Sequence, residues 1–218
     1  MNTKSDYVPA LAFHRLTPFY DAVVGTTTRE RTFKQALIRQ AAVAPGQRVL
    51  DLACGTGTLA IWLKESEPRA AVTGVDGDAA ILDIARRKAA RSGVEVALDR
   101  ALSHALPYAD GQFDRVVSSL FFHHLGPADK LRTLREVRRV TKPGGELHVA
   151  DWGRPANALM RGLFFSVQLL DGFANTRDHV AGRLPELVTA AGFVDVAERA
   201  SFGTIYGTLT LLSARRSR

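Results

Sequence analysis

The chain has 218 residues, of which 46% are hydrophobic and 23% charged, a composition that excludes wholesale disorder and fits one ordinary domain better than two. Its 29 Lys and Arg against 22 Asp and Glu leave a net charge of +7, spread over both halves with no basic tail or block, so charge alone selects no nucleic-acid, membrane or anionic partner. The single cysteine, Cys54, excludes a disulfide framework and a zinc site built on several thiolates, and no metal is expected.

Short β-branched runs alternate with helical patterns, which predicts βαβ units and a parallel sheet. The N-terminal part, residues 1–44, reads as helical, with Phe33, Leu37 and Ile38 on one face of the stretch Thr28 to Ala42, and Pro45-Gly46 ends it. Arg48 to Leu52 is a first strand and Thr58 to Glu65 a helix entered through glycines. Ala71 to Val75 is a second strand, Ala79 to Ala90 a second helix behind the N-cap Asp78, and Val94 to Leu98 a third strand. Phe113 to Ser119 is a fourth strand, Ala128 to Val140 a third helix stopped by Lys142-Pro143-Gly144-Gly145, and Glu146 to Ala150 a fifth strand. The pattern then changes. Residues 153–182 read as an inserted cap with an apolar helical stretch, and Arg177, Asp178 and His179 within it read as solvated. Residues 183–218 hold a helix from Leu184 to Ala191 and an antiparallel pair, Phe193 to Ala200 and Thr204 to Leu212. Seven strands in a single domain, with residues 45–152 as its ligand-binding core, follow from this count.

The sharpest local signal is Val49-Leu50-Asp51-Leu52-Ala53-Cys54-Gly55-Thr56-Gly57-Thr58, a buried strand ending in a carboxylate and a turn with two glycines that opens a helix. Glycine is needed where backbone turns sharply or lets a ligand touch the main chain, and the helix start favours anions. Gly55 to Ala60 also fits the G-x-G-x-x-A of nicotinamide dehydrogenases, but Asp51 at the strand end and the three residues before Gly55 oppose a pyrophosphate there and suit a cationic group. Asp76 ends the second strand about 20 residues past the glycines, where a carboxylate accepts both ribose hydroxyls of a nucleoside. Cys54 reads as a small packing residue.

With these features the chain resembles the class I S-adenosylmethionine-dependent methyltransferases over roughly residues 45–213. The matching segments are the 49–57 loop, Gly74-Val75-Asp76, Leu106-Pro107 through Phe113-Asp114, Phe122-His123-His124-Leu125, Val137 through Gly145, and Leu187 to Phe193. Within that superfamily it is most similar to the ubiquinone/menaquinone-biosynthesis type, and Tyr20-Asp21 resembles that group's N-terminal helical region. The resemblance implies a Rossmann-like α/β fold, a seven-stranded sheet with the last strand antiparallel and helices on both faces, binding S-adenosyl-L-methionine across the strand ends. It implies cofactor contacts from Asp51, Ala53, Gly55, Gly57, Asp76, Gly77, Leu102, Ser103 and Ser119, with Asp51 near the ammonium group, the glycines under the methionine part and Asp76 on the ribose. Relatives usually carry an acidic residue five positions before the Leu-Pro proline to bond the adenine amino group. Here that position is Leu102, and the nearest carboxylate is Asp99, so adenine is expected to rest on backbone amides and apolar walls.

Methyl transfer from a sulfonium is an in-line displacement in which the protein supplies alignment, desolvation and, for hydroxyl or activated-carbon acceptors, a base. His123, His124 and Asp151 are the candidate catalytic residues: the histidines follow the fourth strand, and Asp151-Trp152 follows the fifth, at the acceptor side. A structural turn in which Asp151 pairs with Arg154 is the competing reading. Ser119-Leu120-Phe121-Phe122 stands where methyltransferases of base amines carry Asn/Asp-Pro-Pro-aromatic, which argues against a nucleobase amine as acceptor. Phe164, Phe165, Leu169, Leu170 and Phe173 read either as an apolar cap over an aromatic or lipid-like acceptor or as ordinary packing on the sheet. The expectation is a methyltransferase of a small molecule, acting as monomer or homodimer, with nucleic acid an unlikely partner. An RNA or protein methyltransferase, a nicotinamide-dependent oxidoreductase and a non-catalytic ligand-binding relative are its rivals. The N-terminus lacks a signal-peptide core and no apolar run reaches the about 20 residues of a membrane span, so a soluble, cytoplasmic protein is expected.

Overall fold

A computed structural model describes residues 30–218. Tyr20-Asp21 and the start of the expected N-terminal helical part lie outside the described residues. In chain order the elements are α1 (Glu30–Ala41), β1 (Arg48–Leu52), α2 (Thr58–Ser66), β2 (Ala71–Asp76), α3 (Ala79–Ser92), β3 (Ala97–Arg100) and β4 (Phe113–Ser119). A 3-10 turn (Phe122–His124), α4 (Pro127–Val140) and β5 (Thr141–Trp152) follow. Three short helices, α5 (Ala158–Leu163), α6 (Phe165–Asp171) and α7 (Phe173–Val180), precede α8 (Leu184–Ala190), β6 (Phe193–Thr204) and β7 (Gly207–Arg216).

The seven strands form one sheet in the order β3-β2-β1-β4-β5-β7-β6. All neighbours are parallel except at β7, which runs antiparallel to both β5 and β6. The chain winds outward from β1 in one direction and resumes from β4 in the other. The crevice for a ligand therefore opens at the carboxyl ends of β1 and β4, where no crossover covers the strand tips.

Alternation along the strands sends side chains to two cores. Leu50, Leu52, Val116 and Leu147 pack with Leu134, Val137 and Val140 of α4 and with Val188 of α8. Val49, Val72, Val117 and Ala150 pack on the other face with Phe33 and Leu37 of α1, with Leu59 and Leu63 of α2, and with Phe164 and Val167. Both faces are thus apolar, as a sheet covered by helices on both sides requires.

The expected boundaries of four strands move. Gly93 ends α3 in a left-handed turn (φ 67°), its amide donating to Ala89 and Ala90, and residues 94–96 are spent reaching the sheet edge, so β3 begins at Ala97 and not at Val94. β5 begins at Thr141, because the Pro143-Gly144-Gly145 segment forms a wide bulge within the strand: Thr141 pairs with Phe113, and Glu146 pairs with Arg115. The last two strands run on to Thr204 and Arg216 and close through a tight hairpin at Gly207. Among the described residues no helix is long and apolar enough to cross a membrane.

Candidate active site

β1 enters the crevice as a buried strand and turns within six residues into α2. Ala53 (φ 55°), Gly55 (φ 54°) and Gly57 (φ 78°) all adopt left-handed backbone to make that turn. Gly57 has a second reason to lack a side chain, because a Cβ there would stand 3.0 Å from the Ala85 Cβ of α3. The loop is fastened to β2: the amide of Cys54 donates to the Val75 carbonyl (3.0 Å) and the amide of Gly55 to Asp76 Oδ2 (3.0 Å). Asp76 Oδ1 accepts from the amide of Asp78 (3.0 Å), which in turn caps α3 through Ala80 and Ile81. Burial pushes the Asp76 carboxyl up, against the amides of Asp78 and Gly55.

Asp51 is 1% exposed, and its Oδ2 has no hydrogen-bond partner among the described residues. Burial pushes its carboxyl up to about 7, opposed by the charge of Lys34 and the Ala60 amide. A buried carboxylate oxygen without a donor costs free energy, so this site is incomplete without a cation or donor. Cys54 packs its Sγ against Gly74, where an added Cβ would lie 2.9 Å away, and burial raises its thiol well above the usual range. It is the inert packing residue expected.

Leu102, where relatives carry an acid, is 41% exposed and bridges only to Ala105. Ser103 Oγ turns to Thr133 of α4 (2.9 Å), and Asp99 accepts the Tyr108 hydroxyl (3.0 Å). Arg139 holds the following loop by donating to the carbonyls of Leu106 and Tyr108 and to Asp110. This wall therefore offers backbone and apolar surface. Gly77 follows Asp76 directly at the β2 tip, its carbonyl accepting from Arg100.

Leu52 pairs with Ser118 and Ser119 with Ala150, so the ends of β1, β4 and β5 stand side by side. After Ser119 the chain passes through left-handed Leu120 (φ 54°) into the 3-10 turn. Asp151 is central here, and it faces inward. Its Oδ2 accepts from the amides of Phe121 (3.2 Å) and Phe122 (2.7 Å), its Oδ1 from the Trp152 amide (2.7 Å) and from His123 Nδ1 (2.6 Å). Arg154 is not among its partners, so the turn reading with that arginine is corrected. Burial opposes its ionisation, but the rings of His123 and His179 and these donors outweigh it and hold the carboxyl well below the usual range.

His123 is buried and His124 half-buried, with ring centroids 4.0 Å apart. Both face Asp171 at the end of α6: His124 Nδ1 lies 3.1 Å from Oδ1, and His123 Nε2 lies 3.7 Å from Oδ2. Burial, with the neighbouring His123 ring, lowers the affinity of His124 for its proton. The α6–α7 segment is clamped down by polar groups. Asn175 Nδ2 donates to the carbonyls of His124 and Asp171 (3.1 Å each), and Lys130 of α4, fully buried, bonds the Asn175 carbonyl and Asp178 (3.3 Å). His179 Nδ1 donates to the Trp152 carbonyl at 2.6 Å. Of the three residues expected in solvent, only Arg177 is exposed; Asp178 and His179 are buried by contacts that the local sequence does not announce. The apolar run is divided as well. Phe164 and Val167 join the core, whereas Phe165, Leu169, Leu170 and Phe173 stay exposed, with Leu170 at 82%.

Comparison with known proteins bears on this geometry directly. A methyltransferase-domain family model matches residues 49–145, from the first strand to the Gly144-Gly145 bulge. The demethylmenaquinone methyltransferase of Thermus thermophilus is 40% identical over 149 residues, which is 66% of this chain and 67% of that protein. The chain belongs to the class I S-adenosylmethionine-dependent methyltransferases, of the ubiquinone/menaquinone-biosynthesis type. An uncharacterized methyltransferase of Synechocystis is 31% identical over 196 residues, covering 87% of this chain and 85% of that one. An O-methyltransferase family protein from Burkholderia thailandensis shares the fold at a TM-score of 0.75, with 20% identity over 94% of this chain and 61% of that chain. The cofactor of the methyltransferase is S-adenosylmethionine, and the buried, donorless Oδ2 of Asp51 fits it, since the ligand brings an ammonium group.

Proposed function

We propose that the methyltransferase acts on a hydroxyaromatic small molecule of the reduced-quinone kind. The observation that carries this is a polar corner after β4 (His123, His124, Asp171) whose Asp171 lies in the same short α6–α7 segment as the exposed side chains Phe165 and Phe173, whose rings pack edge-on at 5.7 Å. A hydroxyl needs the first and an aromatic body the second. The relatedness to a demethylmenaquinone methyltransferase supports the same choice.

S-adenosylmethionine, when bound, supplies a methyl group already activated on sulfur. The chain's share is placement. Asp51 takes the ammonium on its free Oδ2, and the amides and open backbone around Ala53, Gly55 and Gly57 line the methionine side. Asp76, fixed by the Gly55 and Asp78 amides, retains lone pairs for the ribose hydroxyls, with Gly77 alongside it. Leu102 gives adenine an apolar wall, Ser103 holds that wall to α4, and Ser119 borders the crevice at the β4 tip. Asp151 is a positioning residue: its oxygens are occupied by the chain's own donors, and it sets the orientation of His123. The His123–His124–Asp171 corner holds the acceptor hydroxyl and receives its proton as the ring becomes nucleophilic. The absence of the base-amine motif at Ser119-Leu120-Phe121-Phe122 does not favour a nucleobase acceptor.

The test is a panel of reduced naphthoquinones, benzoquinols and catechols with S-adenosylmethionine, followed by product mass. A mono-methylated quinol or phenol supports the reading. Turnover only on RNA or on protein side chains contradicts it.

A further inference from the structure

His123, His124 and Asp171 bring two imidazoles and a carboxylate together at one corner. One ligand atom from each lies within 4.8 Å of the others. Asp151 already accepts three backbone N–H groups, which an ionised carboxylate requires, so the 2.6 Å contact from His123 is a donation from Nδ1–H. With Nδ1 engaged by Asp151, Nε2 is the His123 ring nitrogen that faces Asp171, 3.7 Å from Oδ2. A cation placed between them would meet both atoms and His124 Nδ1, which lies 3.1 Å from Asp171 Oδ1.

We propose that this corner binds one divalent transition-metal ion of the zinc, cobalt or iron kind, through His123 Nε2, His124 Nδ1 and Asp171. Two imidazoles and one carboxylate are the donors that borderline metals select, whereas magnesium and calcium favour oxygen alone. Three protein ligands leave coordination positions open, as a site that takes a substrate oxygen needs. The outer contacts are in place too. Asp151 fixes the tautomer and plane of His123, the carboxylate–histidine–metal arrangement. Asn175 donates to the backbone carbonyls of both His124 and Asp171, and so ties the 3-10 turn to the end of α6. Lys130 secures Asn175 from behind. Coordination requires each ligating nitrogen to be free of its proton, so any proton that His124 Nδ1 shares with Asp171 passes to Nε2 or to solvent. With the ion bound the corner's atoms are ligands and no longer the base, so an acceptor hydroxyl reaching an open position would lose its proton to solvent, and at lower pH.

The experiment uses the full chain, free of any affinity tag and stripped with chelator. It is titrated with zinc chloride in a calorimeter and with cobalt chloride while visible absorption is recorded. Neither cofactor nor acceptor is needed, so the result is independent of the substrate reading. The expected result is one ion per chain and cobalt bands of nitrogen-oxygen coordination. Asp171→Asn and His124→Gln should abolish both signals, and Asp151→Asn should weaken binding by about 10–100-fold. If the buried variant Asp151→Asn fails to fold, Asp171→Asn and His124→Gln at the half-buried positions decide. Absence of stoichiometric binding by the folded wild-type chain overturns the proposal, as does binding that survives His124→Gln unchanged.

Discussion

The amide of Gly55 donates to Asp76 Oδ2 at 3.0 Å, and this bond fastens the loop after β1 to the tip of β2. In the proposed cofactor placement, Asp76 shapes the methionine side of the crevice through this bond and presents itself to the ribose side. Asp76→Ala should weaken S-adenosylhomocysteine binding by about 1–3 kcal/mol, the scale of lost hydrogen bonds to a charged acceptor. It should also lower the melting temperature of the ligand-free protein. Calorimetry reads the first, and unchanged affinity would remove Asp76 from the site.

Asp51 predicts a pH dependence of opposite sign for stability and for binding. Its carboxyl is raised by burial to about 7, so the folded ligand-free protein holds a proton that the unfolded chain releases near pH 4. That contribution to stability is complete below about pH 4 and is lost as pH rises through 7. A shift of this size amounts to roughly 4 kcal/mol. Cofactor affinity should rise over the same interval, because the ionised form meets the ammonium group. Thermal melts and binding titrations at stepped pH check both, and Asp51→Asn should flatten both slopes. Slopes unchanged in the variant would contradict the assignment.

Gly74 lets β2 approach the loop. A Cβ there meets Cys54 Sγ and Leu98 Cδ2, each at 2.9 Å. Gly74→Ala should cost about 1–3 kcal/mol. Adding Cys54→Ala should recover part of that loss, a favourable coupling of at least about 0.5 kcal/mol in a double-mutant cycle. Strictly additive denaturation energies would show that the two residues do not share the space.

Lys130 and Asp178 form a buried pair that holds α7 onto α4. Lys130→Met should cost about 3–5 kcal/mol, since it leaves a carboxylate buried without its partner. Limited proteolysis should then cut within residues 158–180 before the sheet. Arg177→Ala, at an exposed neighbour, should change stability by less than about 0.5 kcal/mol. Equal effects of the two substitutions would contradict the clamp.

The loop proposed to hold the cofactor was legible in sequence because its signals are local. A strand, a carboxylate and two glycines lie within the ten residues from Val49 to Thr58, and Asp76 ends the next strand. The proposed acceptor half was legible only in part. His123 and His124 announce themselves, but the partner of both, Asp171, comes from a helix after the next strand and has no periodic signature. Asn175 to His179 reads as a polar, solvated run, yet Lys130 from α4 draws Asp178 inward and the Trp152 carbonyl holds His179. Asp151 was visible as a carboxylate at a strand end. That it turns toward the chain's own amides was not, since this depends on the 3-10 turn after left-handed Leu120. The β3 boundary slipped because Val94 and Val96 alternate like a strand before the chain has reached the sheet edge.

The most direct test of the central claim is transfer of labelled methyl from S-adenosylmethionine into a cell extract separated into small-molecule, protein and RNA fractions, with Asp76→Ala as control. The account predicts label in an organic-extractable small molecule bearing a phenolic or quinol ring, and markedly less with the variant. Label confined to RNA or protein would contradict it.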